Sequence, residues 1–207
     1  MGCGSSLGND KKLYGYDYIL HTDSRNADFQ FHQDEIVNTN SICVQGPNVT
    51  ALQISYCTTN SSKLDLNTSY LPSLRSLNYG FYNCDKLTEI DISSWDLSKV
   101  NNLSYAFNHC SELKYIKWNP NFKEPVNCDE MLYIYINSPD EGLRELNLGD
   151  LILSSGRNML RGAKFLERID GSIDVSNISN YTIATDYLFG NNESPLTRRF
   201  LIKNIGY

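Results

Sequence analysis

The sequence predicts an α/β repeat, a solenoid of about 26-residue units with short parallel strands and a β-rich N-terminal cap. The first observation behind this is a column pattern. Written with every twenty-sixth residue in register, Leu64, Ile90 and Ile116 share a column, as do Leu66, Ile92 and Trp118. Leu74, Val100 and Val126 follow, then Leu77 with Leu103, Tyr79 with Tyr105, and Phe81 with Phe107 and Tyr133. Cys84 lines up with Cys110, and Leu87 with Leu113. The second observation is a period-two segment in each unit, such as Ile90-Asp91-Ile92, which reads as a short strand with two residues inward and one outward. The third is energetic. One unit offers roughly six large apolar residues, worth ~1.5–3 kcal/mol each when buried, against ~1–2 kcal/mol per residue to order the backbone. A lone unit cannot fold, whereas stacked units bury each other's open faces.

Along the chain, residues 1–12 read as a flexible arm, rich in glycine and serine. Gly2 after Met1, with Ser6 at the required offset, fits an N-myristoylation pattern, and Cys3 is then a palmitoylation position. The blander readings are a Gly/Ser arm or a lipoprotein tether starting at Cys3. Residues 13–47 read as the capping segment. LYGYDYIL and ADFQFHQDEIV alternate polar with aromatic or apolar residues, which argues short strands, and Phe29 and Phe31 share one face. A stack needs such a cap because its first unit otherwise exposes an apolar face and an unpaired edge. QGPN (45–48) is turn chemistry at the junction.

Residues 48–207 read as the array. VTALQIS (49–55) echoes LRSLNYG (74–80) with one residue dropped, and 64–125 is the most regular stretch. Spacing then loosens. The interval from Leu113 to Leu143 is longer than the repeat, with the surplus in NSPDEG (137–142). That from Leu143 to Leu166 is shorter, and that from Leu166 to Leu196 is longer again. The chemistry persists. RELNL (144–148) repeats TEIDI (88–92), and DVSNI (174–178) repeats DLSKV (96–100). The last strand candidate is Phe200, Leu201 and Ile202.

Composition narrows the function. A net charge of −6 with no basic run argues against nucleic-acid binding through phosphate neutralisation. No stretch approaches the roughly 20 apolar residues of a membrane helix, and no signal peptide is present in this chain. The six cysteines, Cys3, Cys43, Cys57, Cys84, Cys110 and Cys128, form no CxxC pair and no zinc spacing. Cys84 and Cys110 are expected as buried free thiols. The three histidines, His21, His32 and His109, join no recognised nucleophile–base or metal motif, and His109 shares a column with Asn83. No cofactor motif occurs, and the sequence predicts no enzyme. The Asn-x-Ser/Thr triplets, such as that at Asn102, are read as part of the repeat rather than as glycosylation sites.

The segment LTEIDISSWDLSKVNNLSYAFNHC (87–110) closely resembles the BspA-like, 26-residue class of leucine-rich repeat, whose copies run L-x-x-L-D-L-S-x-[FW]-D-x-S-x-V-x-x-M-x-x-[MA]-F-x-x-C. Leu103 stands at the usual Met position, and the resemblance covers about residues 49–202. It implies a right-handed leucine-rich-repeat solenoid without catalytic machinery. Proteins of this class are bacterial adhesins and lipoproteins, surface proteins of protists, and structural proteins of phages. The family offers no common functional residue. Two departures stand out: Gly171 at an expected inward strand position and Gly156 near the Leu103 column.

The expected function is a non-enzymatic interaction or structural module at a virion or cell surface. A phage virion structural or attachment component is favoured, since it assembles in the host cytoplasm without an export signal. A bacterial adhesin or lipoprotein is the first alternative, and a lipid-anchored intracellular protein resting on Gly2 and Cys3 the second. The partner is expected to be a protein or a larger assembly. One candidate surface is the outward strand row Asp65, Asp91, Lys117 and Asn147. The other is the C-terminal end, where no residues follow Phe200, Leu201 and Ile202 to close the stack except a short tail. The bland reading of the strand row is a solvated stripe.

Overall fold

In a computed structural model, residues 18–21, 23–28, 41–55, 63–134 and 142–178 are described, and they form a solenoid of parallel strands with about five turns and no helix. The first coils contribute β1 (Tyr18–His21), β2 (Asn26–Asp28), β3 (Ile42–Gln45) and β4 (Ala51–Gln53). Then come β5 (Lys63–Asp65), β6 (Glu89–Ile92), β7 (Tyr115–Trp118), β8 (Val126–Asn127), β9 (Glu145–Ser155) and β10 (Arg168–Asp174). Every pairing is parallel: β1 with β3, β2 with β4, β5 with β6 and β6 with β7, and β8 with β9 and β9 with β10. Isolated bridges extend the ladders, with Ala51, Ser76, Asn102 and Asn127 in one line.

The coils differ in length. Leu64 pairs with Ile90 and Ile90 with Ile116, at the full repeat spacing. The coil that pairs Tyr18 with Ile42 is shorter, and the one that pairs Glu145 with Arg168 is shorter still. The segment expected as a cap, 13–47, continues the same ladders where it is described, and Ile42 and Val44 are fully buried in the common core. Phe29 and Phe31 lie outside the described residues.

Inward columns follow the sequence pattern. Leu64, Leu66, Ile90, Ile92, Leu146 and Leu148 are buried under the strand side, and Trp118 nearly so. Leu87, Leu113, Leu143 and Leu166 are all buried despite their uneven spacing. Phe81 and Phe107 stack with centroids 5.5 Å apart and planes 2° from parallel. The third member of that column is a correction. Ser76 bridges Asn102 at the full repeat, but Asn102 bridges Asn127 rather than Cys128, so this coil is shorter by one position. Leu132, fully buried, follows Phe107, and Tyr133 is left half-buried at the surface.

The helical half of the expected α/β pattern is absent among the described residues, and the backbone shows why. Opposite the strands, residues 77–87 run as overlapping β-turns, with Gly80 N–H donating to Leu77 O, Tyr82 to Tyr79 and Cys84 to Phe81. The alternate N–H groups of Leu77, Tyr79, Phe81 and Asn83 donate to Asn102, Ser104, Ala106 and Asn108 of the next coil. The pattern recurs from 103–109 to 127–133 and from 128–134 to 155–161. An α-helix satisfies its own N–H groups and excludes positive φ. Here Tyr79, Asn83, Tyr105 and His109 sit at φ of 55°, 57°, 59° and 61°. Asn83 and His109 are thus turn residues in one column, as their alignment predicts.

Gly156 does fall in the Leu103 column, since Leu103 and Cys128 donate to Asn127 O and Ser155 O in successive coils. Gly171 is not an inward residue. It is exposed, at φ 103°, within the register shift between Asp170 and Ser172. A Cβ there would lie 2.0 Å from Gly149 O, so two glycines stacked at one corner let β9 and β10 run round the bend.

Candidate interaction surfaces

Of the expected strand row, three residues share one ladder and Asn147 stands on another sheet. Asp65, Asp91 and Lys117 pair in register on β5, β6 and β7, and Asn147 pairs with Asp170 on β9 and β10. All point outward between neighbours that are buried or half-buried. The chemistry of the row, however, is spent on the fold. Asp65 Oδ1 accepts the Asn67 N–H at 2.9 Å, Asp91 Oδ1 the Ser93 N–H at 3.1 Å, and Asn147 Oδ1 the Gly149 N–H at 3.0 Å. Each is an Asx turn that bends the chain out of its strand. Other corners use the same device: Asp96 with Ser98 (3.0 Å), Asn102 with Ser104 (3.0 Å), Asn127 with Asp129 (2.9 Å) and Asp174 with Ser176 (2.8 Å). This accounts for the likeness of DLSKV to DVSNI, and for the Asn102 triplet.

Charges on this side are paired across coils. Glu89 accepts Lys63 at 2.9 Å through one carboxylate oxygen and Lys117 through the other. The Lys117 hydrogen bond, with that of Lys63, holds the Glu89 carboxyl below the usual range. Burial pushes Asp91 up, but hydrogen bonds from Ser93 and Asn67, helped by the Lys117 charge, bring it below its ordinary value. The Ser98 hydroxyl and N–H, then Asn121, do the same for Asp96. Arg168 bridges Glu145 at 2.8 Å and Asp170 at 3.0 Å.

Trp95 lies between coils, its indole N–H donating to Leu66 O at 3.0 Å. Trp118 does likewise to Asn147 O at 2.8 Å. Cys43, Cys84, Cys110 and Cys128 are buried free thiols. The thiols of Cys84 and Cys110 donate to Ile54 O (3.1 Å) and Phe81 O (3.0 Å) of the preceding coils. Burial, followed by the charge of Asp129, raises the Cys128 thiol far above its usual range. No group of three His, Cys, Asp or Glu residues among the described residues could hold a metal ion. No helix among them is long and apolar enough to cross a membrane. Gly2, Cys3, Phe200, Leu201 and Ile202 lie outside the described residues.

A second surface escaped the sequence reading. On the turn side, Tyr79 stacks on Tyr105 with centroids 4.7 Å apart and planes 4° from parallel. Tyr82 meets Tyr79 edge-on at 5.2 Å, and His109 stands edge-on to both Tyr82 (5.8 Å) and Tyr133 (5.7 Å). The Arg161 guanidinium lies 5.2 Å over the Tyr133 ring. Burial, then the charge of Glu130, pushes the Tyr105 phenol up. Asn108, 2% exposed, follows Tyr82 in register, and its Nδ2 donates to Glu130 O at 3.2 Å. Its Oδ1 is buried with no hydrogen-bond partner among the described residues. The Tyr79–Tyr105 column was visible in the sequence. Its outward direction was not, because a positive φ breaks the alternation that tells inside from outside.

No family model, curated protein or solved structure matches the chain.

Proposed function

We propose that this chain is a non-enzymatic interaction or structural module at a surface, built of leucine-rich repeats of the BspA-like class, and that it serves as a phage virion structural or attachment component. The observation that supports the reading is where the repeated polar groups go. At the coil corners and on the strand side they close Asx turns or ion pairs between coils, as Asp65, Asp91, Asn147 and Glu89 do. Such a use of polar side chains suits a scaffold that presents a surface rather than one that assembles reacting groups. Contact with a protein neighbour falls to the strand side, where Lys117 and Tyr115 project.

The test is where the protein resides. Gold-labelled antiserum against the purified chain is applied to purified particles and to intact cells of the producing culture, and the intact mass of the native protein is measured. Labelling of particles is the expected result. Labelling of cell surfaces alone would establish the adhesin or lipoprotein reading. An acyl adduct on Gly2 with neither surface labelled would establish the lipid-anchored one.

A further inference from the structure

The turn-side ridge runs along the solenoid axis over four successive coils. Tyr79 and Tyr82 stand on the first, Tyr105, Asn108 and His109 on the second, Glu130 and Tyr133 on the third, and Arg157 and Arg161 on the fourth. Its chemistry differs from that of the strand side, where charges alternate and neutralise each other. Here phenols, an imidazole and an amide dominate. Glu130 has Arg157 at 3.9 Å, and Arg161 covers the Tyr133 ring. Because Tyr79 and Tyr105 stack face to face, Tyr79 presents mainly ring edge and phenol to solvent, and it is 37% exposed. An aromatic edge carries positive partial charge, so it meets an alcohol oxygen favourably, and the phenol adds a donor and an acceptor.

Asn108 supplies an independent sign of a ligand. Its amide orientation is fixed by the Glu130 carbonyl, which takes the Nδ2 hydrogen, so the unpaired atom is an acceptor. A buried acceptor without a donor costs about 1–3 kcal/mol. It lies within the ridge, in register between Tyr82 and Tyr133, beside His109. We propose that the ridge is a carbohydrate-binding surface that takes a neutral polysaccharide chain lying along the solenoid axis. A neutral glycan offers dense alcohol donors and acceptors, with apolar C–H faces between them. It brings no charge that the paired Glu130 and Arg157 would have to answer. Successive coils about 4.7–4.9 Å apart set the ridge's different groups out along one line over four coils, which suits a polymer better than a single small molecule. The proposal rests on the non-enzymatic interaction reading but on a different face from the strand row, and it holds whether the chain is carried by a particle or a cell.

The test is affinity electrophoresis of the full chain in native gels. Each gel contains one neutral polysaccharide, hydroxyethylcellulose, galactomannan or amylopectin, and a further gel contains dextran sulfate. Retardation is expected in at least one neutral gel. It should be lost in the Tyr79→Ser, Tyr82→Ser, Tyr133→Ser triple variant and kept in the Tyr70→Ser, Tyr115→Ser variant, whose exposed tyrosines lie elsewhere. Should the triple variant fail to fold, the unaltered chain still gives an answer by proton NMR. It has three histidines, and the ring signals of His109, assigned with His109→Gln, should shift on adding the retarding polysaccharide while those of His21 and His32 stay. Absence of retardation in all neutral gels would overturn the proposal. So would retardation by dextran sulfate alone, retardation undiminished in a folded triple variant, or unmoved His109 signals. None of these outcomes bears on whether antiserum labels particles or cells.

Discussion

The coils around β5, β6 and β7 and the coils around β9 and β10 turn the same corner in different ways. In the first group, at β5 and β6, a short strand stops at an Asx turn, and the chain restarts on the next side. In the second the Asx turn persists at Asn147, but β9 continues for 11 residues through Gly149, and β10 follows it through Gly171. Side-chain hydrogen bonds close the regular corner. The continuous one additionally requires two residues without a Cβ, since a Cβ on Gly171 would meet Gly149 O and a Cβ on Gly149 would meet Pro120 O. Regularity in the sequence therefore marks coils closed by side chains. Beyond residue 126, where the regularity erodes, the Asx turns at Asn127, Asn147 and Asp174 remain, and a glycine corner at Gly149 and Gly171 is added to them.

The largest effect should come from the shared core, which ignores this difference. Phe107→Ala removes a ring stacked on Phe81 and should cost ~3–5 kcal/mol, read as a lowered urea midpoint. Next is the glycine corner. Gly171→Ala places a Cβ into Gly149 O at a φ of 103°. The strained backbone alone costs about 1–3 kcal/mol, and hydrogen exchange should quicken at residues 168–174 while 89–92 keep their protection. Equal quickening in both strands would show that the two kinds of corner are not independent.

The Asx corner should be milder. Asp91→Ala leaves the Ser93 N–H to water, for about 0.5–1.5 kcal/mol, whereas Asp91→Asn should retain most of the stability because its Oδ1 still accepts. A variant with Asn as damaging as Ala would mean that charge, not the turn, is what Asp91 supplies.

The smallest effect is in pH. Glu89, Asp91 and Asp96 all have folded carboxyls below their ordinary values. Their contribution is complete above the unfolded pKa of roughly 4 and is lost as pH falls through the folded values. Thermal midpoints should thus be flat from neutrality to about pH 5 and fall below about pH 4. Glu89→Gln should make that fall shallower, and an unchanged slope would remove the Lys63–Glu89–Lys117 bridge from the account.

Much of this was legible because strands alternate. Leu64, Asp65 and Leu66 show which way they face from their types alone, and parallel stacking follows from the column repeat. Three things were not legible. The turn ribbon of 77–87, with positive φ at Tyr79 and Asn83, resembles a helix in sequence, since apolar residues at Leu77, Phe81 and Cys84 fit a helical period as well as a turn ribbon. A single missing residue before Asn127 displaced the alignment by one and exchanged Leu132 for Tyr133. The corner role of Asp65, Asp91 and Asn147 was hidden because an outward carboxylate looks alike whether it awaits a partner or caps a turn. The spacing D-x-[NS], present at 65–67, 91–93 and 96–98, was the available signal.

The turn ribbon has a mechanical consequence. In both the strands and the ribbon, hydrogen bonds between backbone groups cross from one coil to the next, and within a coil mainly short turn bonds hold the chain. Force applied along the solenoid axis therefore loads one ladder rung at a time, and neighbouring coils do not share it as sheared strands would. Extension should proceed in discrete steps as coils peel away. At ~3.3–3.6 Å of extended length per residue, each coil releases on the order of 80–90 Å. A short rigid rod of this construction would behave under load as a stepwise shock absorber between whatever holds its two ends.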